Sequence, residues 1–241
     1  MRLIAPALGI FLLLGASPAL AFFDSLEELK EDLSTLEMLK KQQSVSSVTQ
    51  GQPQIVAAPA NFKDIEPNAW FTPFVVALAK WNIISGYSKD GKPLNMFGPT
   101  DPVRVGELLK IAFKSAKTDT QYCGSPRNPA ALTHWSREYF ACAEKYGVKL
   151  ASSFPRPDDP AMRADVVTVI LDVFSVQNLP IPSSFSDMVG HPDEYRIAQA
   201  ATMGIVSGYG DGRFGPYDLV QRAQAAKIVY KTIEWKVRSS K

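Results

Sequence analysis

The chain has little with which to do metal or redox chemistry: two cysteines and two histidines in 241 residues. His134 and His191 stand at no metal-ligand spacing from Cys123 or Cys142, which excludes a zinc site of the usual kind. Charge of one sign is also lacking, with Lys and Arg at 26 against Asp and Glu at 24. No bulk field therefore draws the chain to nucleic acid or to a membrane surface. No nucleophile stands near a histidine in a marked context, and no glycine-rich phosphate loop is present, so the reading is of a non-enzyme with no cofactor.

Long apolar runs are scarce as well. The one at Leu3–Leu14 follows Arg2 and leads through Gly15, Ser17 and Pro18 to Ala19-Leu20-Ala21, the pattern of a secretory signal with cleavage after Ala21. The alternative is a retained anchor, but the run is shorter than the roughly 20 residues a spanning helix needs. Export is expected, to the cell surface, cell wall or periplasm. In such a compartment Cys123 and Cys142 can pair as a disulfide, the alternative being two buried thiols.

What is present is periodicity. Leu26, Leu29, Leu33, Leu36 and Leu39 lie at helical spacing, so 22–43 reads as an amphipathic helix. It is suited to self-association through 24–43 or to packing on the main body. Residues 44–60 turn to Ser, Gln, Pro and small side chains and read as a linker.

Beyond the linker the sequence repeats itself. Phe62-Lys63-Asp64, Ile83-Ile84-Ser85-Gly86-Tyr87, Asp90-Gly91 and Phe97-Gly98-Pro99 return in order as Phe185-Ser186-Asp187, Ile205-Val206-Ser207-Gly208-Tyr209, Asp211-Gly212 and Phe214-Gly215-Pro216. A weaker copy lies between them, with Trp135 spaced from Val148 as Trp70 is from Ile83, and Phe154–Pro157 in place of Phe-Gly-Pro. The units are 61–117, 122–177 and 184–238. Each reads as helix, turn-rich loop, helix.

The first helices are expected to turn Trp70, Phe74, Ala77, Leu78 and Trp81, or Trp135, Tyr139, Cys142 and Tyr146, inward, and to stop at Asn82, Gly147 and Gly204. Asp101-Pro102, Asp159-Pro160 and Asp218-Leu219 are expected to start the second helices, with Asp as the N-cap. Those helices bury Leu108, Leu109 and Ala112; Val166, Val169 and Ile170; and Ala225, Ile228 and Val229. Asp90-Gly91 and Asp211-Gly212 lack the alternating acids of a calcium loop and read as turns.

On these motifs the chain resembles the S-layer homology (SLH) family, whose repeat runs F-x-D, W, a Gly-Ile-Ile-x-Gly turn, D-G-x-F-x-P and T-R-A-E. The resemblance covers about 61–235 and implies a mainly α fold of three repeats in a pseudo-threefold arrangement. It further implies grooves between repeats that bind a cell-wall polysaccharide, often one bearing pyruvylated sugars. The T-R-A-E tetrads here are Arg104-Val105-Gly106-Glu107, Met162-Arg163-Ala164-Asp165 and Gln221-Arg222-Ala223-Gln224. Arg163 and Arg222 keep the family position, and the Arg of the first tetrad moves one place to Arg104. The third copy has no Trp. Candidate sugar contacts are therefore Arg163, Arg222 and Arg104, with Trp70, Trp135, Tyr87 and Tyr209 as stacking platforms. The alternative readings are core positions for the Trp residues and solvated or salt-bridged surface charges for the Arg residues. Two functions follow: a wall-anchoring module, or an envelope scaffold that has lost its sugar.

Overall fold

A computed structural model describes residues 62–239 together with Lys30, Glu31 and Ser34, which are helical. The signal over 1–21, the rest of the 22–43 helix and the linker over 44–60 lie outside the described residues. Among those described the fold is helical: α1 (Thr72–Lys80), α2 (Val105–Ser115), α3 (Arg137–Lys145), α4 (Arg163–Val173), α5 (Glu194–Thr202) and α6 (Arg222–Ser239). Strand among the described residues is confined to one hairpin, β1 (Ser88–Lys89) and β2 (Lys92–Pro93). It is closed by Asp90 and Gly91, both at positive φ (50° and 73°), the geometry of a tight two-residue turn.

The apolar spacing decides which helices are central. α2, α4 and α6 touch one another pairwise and bury the Leu, Val, Ile and Ala positions read from the sequence. The outer helices sit on the inner helix of another unit: α1 on α6, α3 on α2, and α5 on α4. A single apolar cluster running from Val75 to Val237 results. Each large aliphatic side chain so buried is worth about 1.5–3 kcal/mol, and no unit could assemble that cluster alone.

The outer helices end as their sequences dictate. Asn82, Gly147 and Gly204 adopt positive φ (56°, 69° and 71°). The next residue then bonds back into the last turn: Ile83 N–H to Leu78 O, Val148 N–H to Ala143 O, and Ile205 N–H to Ala200 O, at 2.8–2.9 Å.

The inner helices do not start where the Asp residues suggested. They begin at Val105, Arg163 and Arg222, several residues later, with Arg104 and Met162 as the N-caps of the first two. The Asp carboxylates are engaged elsewhere, Asp101 by Tyr87 Oη (2.9 Å), Asp218 by Tyr209 Oη (2.8 Å) and Asp159 by the Arg156 guanidinium (2.7 Å). The residues between run extended and pair across units, Pro102 with Gln221, Arg104 with Pro160, and Met162 with Leu219.

Helix-start N–H groups are satisfied by these crossings. Val105, Arg163 and Arg222 donate to the carbonyls of Asp159, Asp218 and Asp101, at 2.8–2.9 Å. Gly106, Ala164 and Ala223 donate to those of Pro157, Pro216 and Pro99, at 2.8–3.1 Å. The loop of each unit thus caps the helix of another, in a closed cycle. The last tetrad residue completes the cap, since Glu107, Asp165 and Gln224 accept from the N–H of Arg104, Met162 and Gln221 at 3.0–3.3 Å. The missing Thr of the tetrads is made good in this way.

The F-x-D motif clips the Phe-Gly-Pro loop that supplies these carbonyls. Asp64 accepts from Phe97 N–H (2.8 Å) and Gly98 N–H (2.7 Å), and Asp187 from Phe214 N–H (2.8 Å) and Gly215 N–H (2.7 Å). Phe62 packs on Phe97 and Phe185 on Phe214, each pair with centroids 5.6 Å apart. Cys123 and Cys142 form a disulfide with Cα atoms 4.9 Å apart, tying the turn at Thr120–Tyr122 to α3.

Two outcomes follow. Replacing the disulfide with Cys123→Ser and Cys142→Ala removes a cross-link closing 19 residues of separation. It should lower unfolding free energy by about 3 kcal/mol through loop-closure entropy. Urea denaturation of oxidised and double-variant protein reads this, and coincident midpoints would refute it. Asp187 supplies the second. Burial works against its ionised form, but the N–H groups of Phe214 and Gly215 hold its carboxyl below the ordinary range. A folded pKa below the unfolded one gives stability that is present above about pH 4 and is lost as pH falls through the folded value. Asp187→Asn should therefore be less stable at neutral pH and show a flatter acid limb in a pH series of melts, whereas an unchanged limb would contradict the clip.

Candidate functional site

The capping cycle brings the start of one inner helix against the loop of another unit, and three of the residues singled out from the sequence meet at one such junction. A cleft of about 440 Å³ is lined by Ser85 and Tyr87 of the loop after α1, Glu107 and Lys110 of α2, Trp135 ahead of α3, and Arg222 at the start of α6. Arg222 is only 5% exposed. Its Nε donates to Phe97 O (2.8 Å), one amino group to the Glu107 carboxylate (2.5 Å), and its plane lies over Tyr87 and Phe97, 4.7 and 4.9 Å from the ring centroids. Losing either partner of a pair this buried leaves an uncompensated charge, at about 3–5 kcal/mol.

Burial, with the bond to Asp101 adding to it and the charge of Arg222 opposing, pushes the Tyr87 hydroxyl up to about 12. Lys110 stands over the Trp135 ring at 5.5 Å and within 3.4 Å of Ser85 Oγ. Burial, and after it the charge of Lys114, lowers its pKa.

A matching group occurs at the start of α4. Arg163 donates to Ser207 O (2.9 Å) and faces Tyr209 and Phe214, at 5.4 and 4.8 Å. The bond to Asp218, followed by burial, raises the pKa of Tyr209. Lys227, on α6 in the register of Lys110, stands over Trp70 at 5.7 Å. Gln224 takes the place of Glu107. No carboxylate is paired with Arg163 among the described residues, its Nε is buried without a hydrogen-bond partner, and burial lowers its pKa.

The third register differs. Val105 stands where Arg222 and Arg163 do, Asp165 where Glu107 does, Thr168 where Lys110 does and Pro192 where the Trp does. Burial raises the Asp165 pKa, with the Met162 N–H opposing. Arg104 turns away to the Asp158 carbonyl (2.6 Å) and joins neither group.

Trp70 and Trp135 do not lie on inward helix faces. Each precedes its helix and is 54% exposed, because the helices begin only at Thr72 and Arg137. Tyr146, also expected inward, is exposed at the C-cap of α3 with its ring 6.2 Å from Phe113. The sequence candidates did not include Lys110 and Lys227, and Glu107 and Gln224 stood there only as the last residues of their tetrads. The signal was available, since Lys follows the tetrad at the same spacing in the first and third units.

One group among the described residues has the outline of acid–base chemistry. His134 Nδ1 lies 2.7 Å from Ser136 Oγ, and its Nε2 is 3.5 Å from Asp158, the outline of a Ser-His-Asp triad. Ser136 is fully buried, however, and its Oγ lies directly against Gly106, so no substrate can reach it. No group of three or more metal-ligating side chains occurs among the described residues.

Comparison with known proteins agrees with the motifs. The profile of the S-layer homology domain matches residues 61–107 and 184–226. An uncharacterized cell wall amidase of Bacillus anthracis is 27% identical over 165 residues, 66% of this chain and 31% of that protein. Cell surface glycoprotein 1 of Acetivibrio thermocellus is 28% identical over 162 residues, 60% of this chain and 7% of that protein. The chain spans less than a third of either relative. Residues 61–107 and 184–226 are thus similar to the S-layer homology domain.

Proposed function

We propose that the chain is a non-catalytic, exported anchoring module. In this reading 61–117, 122–177 and 184–238 form one pseudo-threefold body that holds an anionic cell-wall saccharide between its units. The observation that carries the reading is the recurrence of one chemical group at two junctions: a guanidinium facing a tyrosine ring, and a lysine standing over an exposed tryptophan. Aromatic faces suit sugar rings, and a fork of N–H donors suits a carboxylate.

Support comes also from the names of the two relatives, a cell wall amidase and a cell surface glycoprotein, which share with this chain a segment far shorter than themselves. A shared attachment module on different cargo has that pattern. No helix among the described residues is long and apolar enough to cross a membrane.

Co-sedimentation of residues 22–241 with purified cell-wall material tests the proposal. The unaltered protein should pellet with wall carrying acid-labile pyruvyl or other carboxylate groups. Arg163→Ala should bind roughly tenfold to a hundredfold more weakly, the equivalent of about 1.5–3 kcal/mol for a charge-assisted bond. Lys89→Ala, in the exposed hairpin, should bind as before. Equal binding by all three, or binding to none of the wall preparations, would remove the anchoring reading.

A further inference from the structure

The inner helix of the last unit is longer than its two counterparts, 18 residues in α6 against 11 in α2 and in α4. In the register set by Val105, Arg163 and Arg222, the first two helices have given way by Lys117 and Ser175, both at positive φ (50° and 51°). Glu234 stands at that place in α6, and the helix runs on to Ser239. The added turn carries Trp235, half-buried against the core, Val237, only 7% exposed, and Lys236 and Arg238. α2 and α4 have stopped by then, and α1 ends a turn earlier, where Trp81 stacks on Tyr230 at 5.8 Å. An apolar side chain buried on a turn that outruns its neighbours needs a cover from elsewhere in the chain. The surface around it is basic: Lys231, Lys236 and Arg238 on α6 and Lys80 in the last turn of α1, against Glu234, which pairs with Lys231 (2.6 Å) and Arg238 (3.3 Å). Bases at helix ends complement the helix dipole, and gathered beside an apolar stripe they also suit an acidic, apolar segment.

We propose that the leucine segment over 24–43 of the same chain is this cover, laying Leu26, Leu29, Leu33 and Leu36 along Trp235 and Val237 with its acids beside Lys231, Lys236 and Arg238. Between 24 and 37 the segment has six acids, Asp24, Glu27, Glu28, Glu31, Asp32 and Glu37, against Lys30 alone. Lys30, Glu31 and Ser34 are helical, and a helix of that period keeps the leucines on one side. The tether allows the contact. Residues 44–60 span roughly 20–25 Å as a flexible chain, and the described body begins at Phe62, whose ring lies against Gly86, shortly after Asn82 at the end of α1. Another exposed apolar pair, Met162 and Leu219 (42% and 55%), lies at the opposite ends of the inner helices. Asp101, Asp159 and Asp218 stand there and would repel the same acids. Docked on the last turn of α6, the segment stands about 20 Å along the helix from Arg222 and leaves both Arg-bearing junctions open.

Paramagnetic relaxation in residues 22–241 tests this, with a nitroxide on Ser34→Cys and the native Cys123 and Cys142 bonded to each other. Amide signals from 233–239 should be strongly broadened, and those of Met162 and Leu219 should keep their widths. A mixture of isotope-labelled protein without nitroxide and unlabelled protein with it should show no broadening, because the contact lies within one chain. Leu29→Asp together with Leu33→Asp removes two of the side chains so placed and should weaken docking about tenfold or more. Lys236→Glu together with Arg238→Glu should weaken it about twofold to fivefold. Both are read as loss of broadening at 233–239, and the leucine exchange lies outside the body whose fold it might otherwise disturb. Broadening that survives the leucine exchange would reflect the tether alone and overturn the inference. Unbroadened signals at 233–239 would overturn it as well, and so would equal broadening in the mixture, which would make a second copy the occupant.

Discussion

The structure depends on where the first N–H groups of three helices find their acceptors. α2, α4 and α6 each present N–H groups that no carbonyl of the same helix can reach, and each is answered by an Asp and a Pro carbonyl from the loop of another unit. Because the borrowing closes on itself, displacing one loop leaves the helix start of another unit uncapped. The outer helices repeat the logic at the level of packing, α1 lying on α6, α3 on α2 and α5 on α4. The apolar surface of a unit is therefore covered by its neighbours, as in repeat architectures where neighbours complete one another's cores.

The same crossings make the candidate grooves. An arginine at the first position of a capped helix is carried by its backbone bonds to the loop of another unit, so Arg222 faces Tyr87 and Arg163 faces Tyr209 without any contact within their own units being required. The residue at the fourth place of the tetrad has two tasks. It caps its own helix in every unit, and in the first it also neutralises a guanidinium from the third. Gln224 keeps only the first task, and that difference of one carboxylate separates two otherwise similar junctions.

Much of this was legible in the residues because it is local. The stops at Asn82, Gly147 and Gly204 need only a residue tolerant of positive φ, and the buried faces of the inner helices need only a 3.6-residue period. The repeated Phe-x-Asp and Phe-Gly-Pro motifs announced a recurring unit, although not that the Asp of one clips the N–H groups of the other. What failed was the rule that an Asp-Pro pair begins a helix. Asp101 and Asp159 satisfy it on paper and Asp218, before Leu219, stands in register with them, but partners far away in sequence or particular to this loop take their side chains and carbonyls. The exposure of Trp70 and Trp135 followed from the same cause, since moving the helix start by a residue or two turns a side chain from inside to edge. The Arg222–Glu107 pair joins residues at opposite ends of the domain, and no local pattern reports it.

The three helix starts stand or fall together, because each is held by a loop from elsewhere in the cycle. Native-state amide hydrogen exchange at Gly106, Ala164 and Ala223, the N–H groups bonded to Pro157, Pro216 and Pro99, tests it most directly. All three should exchange through one opening whose free energy equals that of global unfolding measured by denaturant. Exchange of one of them through a much cheaper local opening, with the other two still protected to the global value, would show that the cycle is not the constraint that holds the domain.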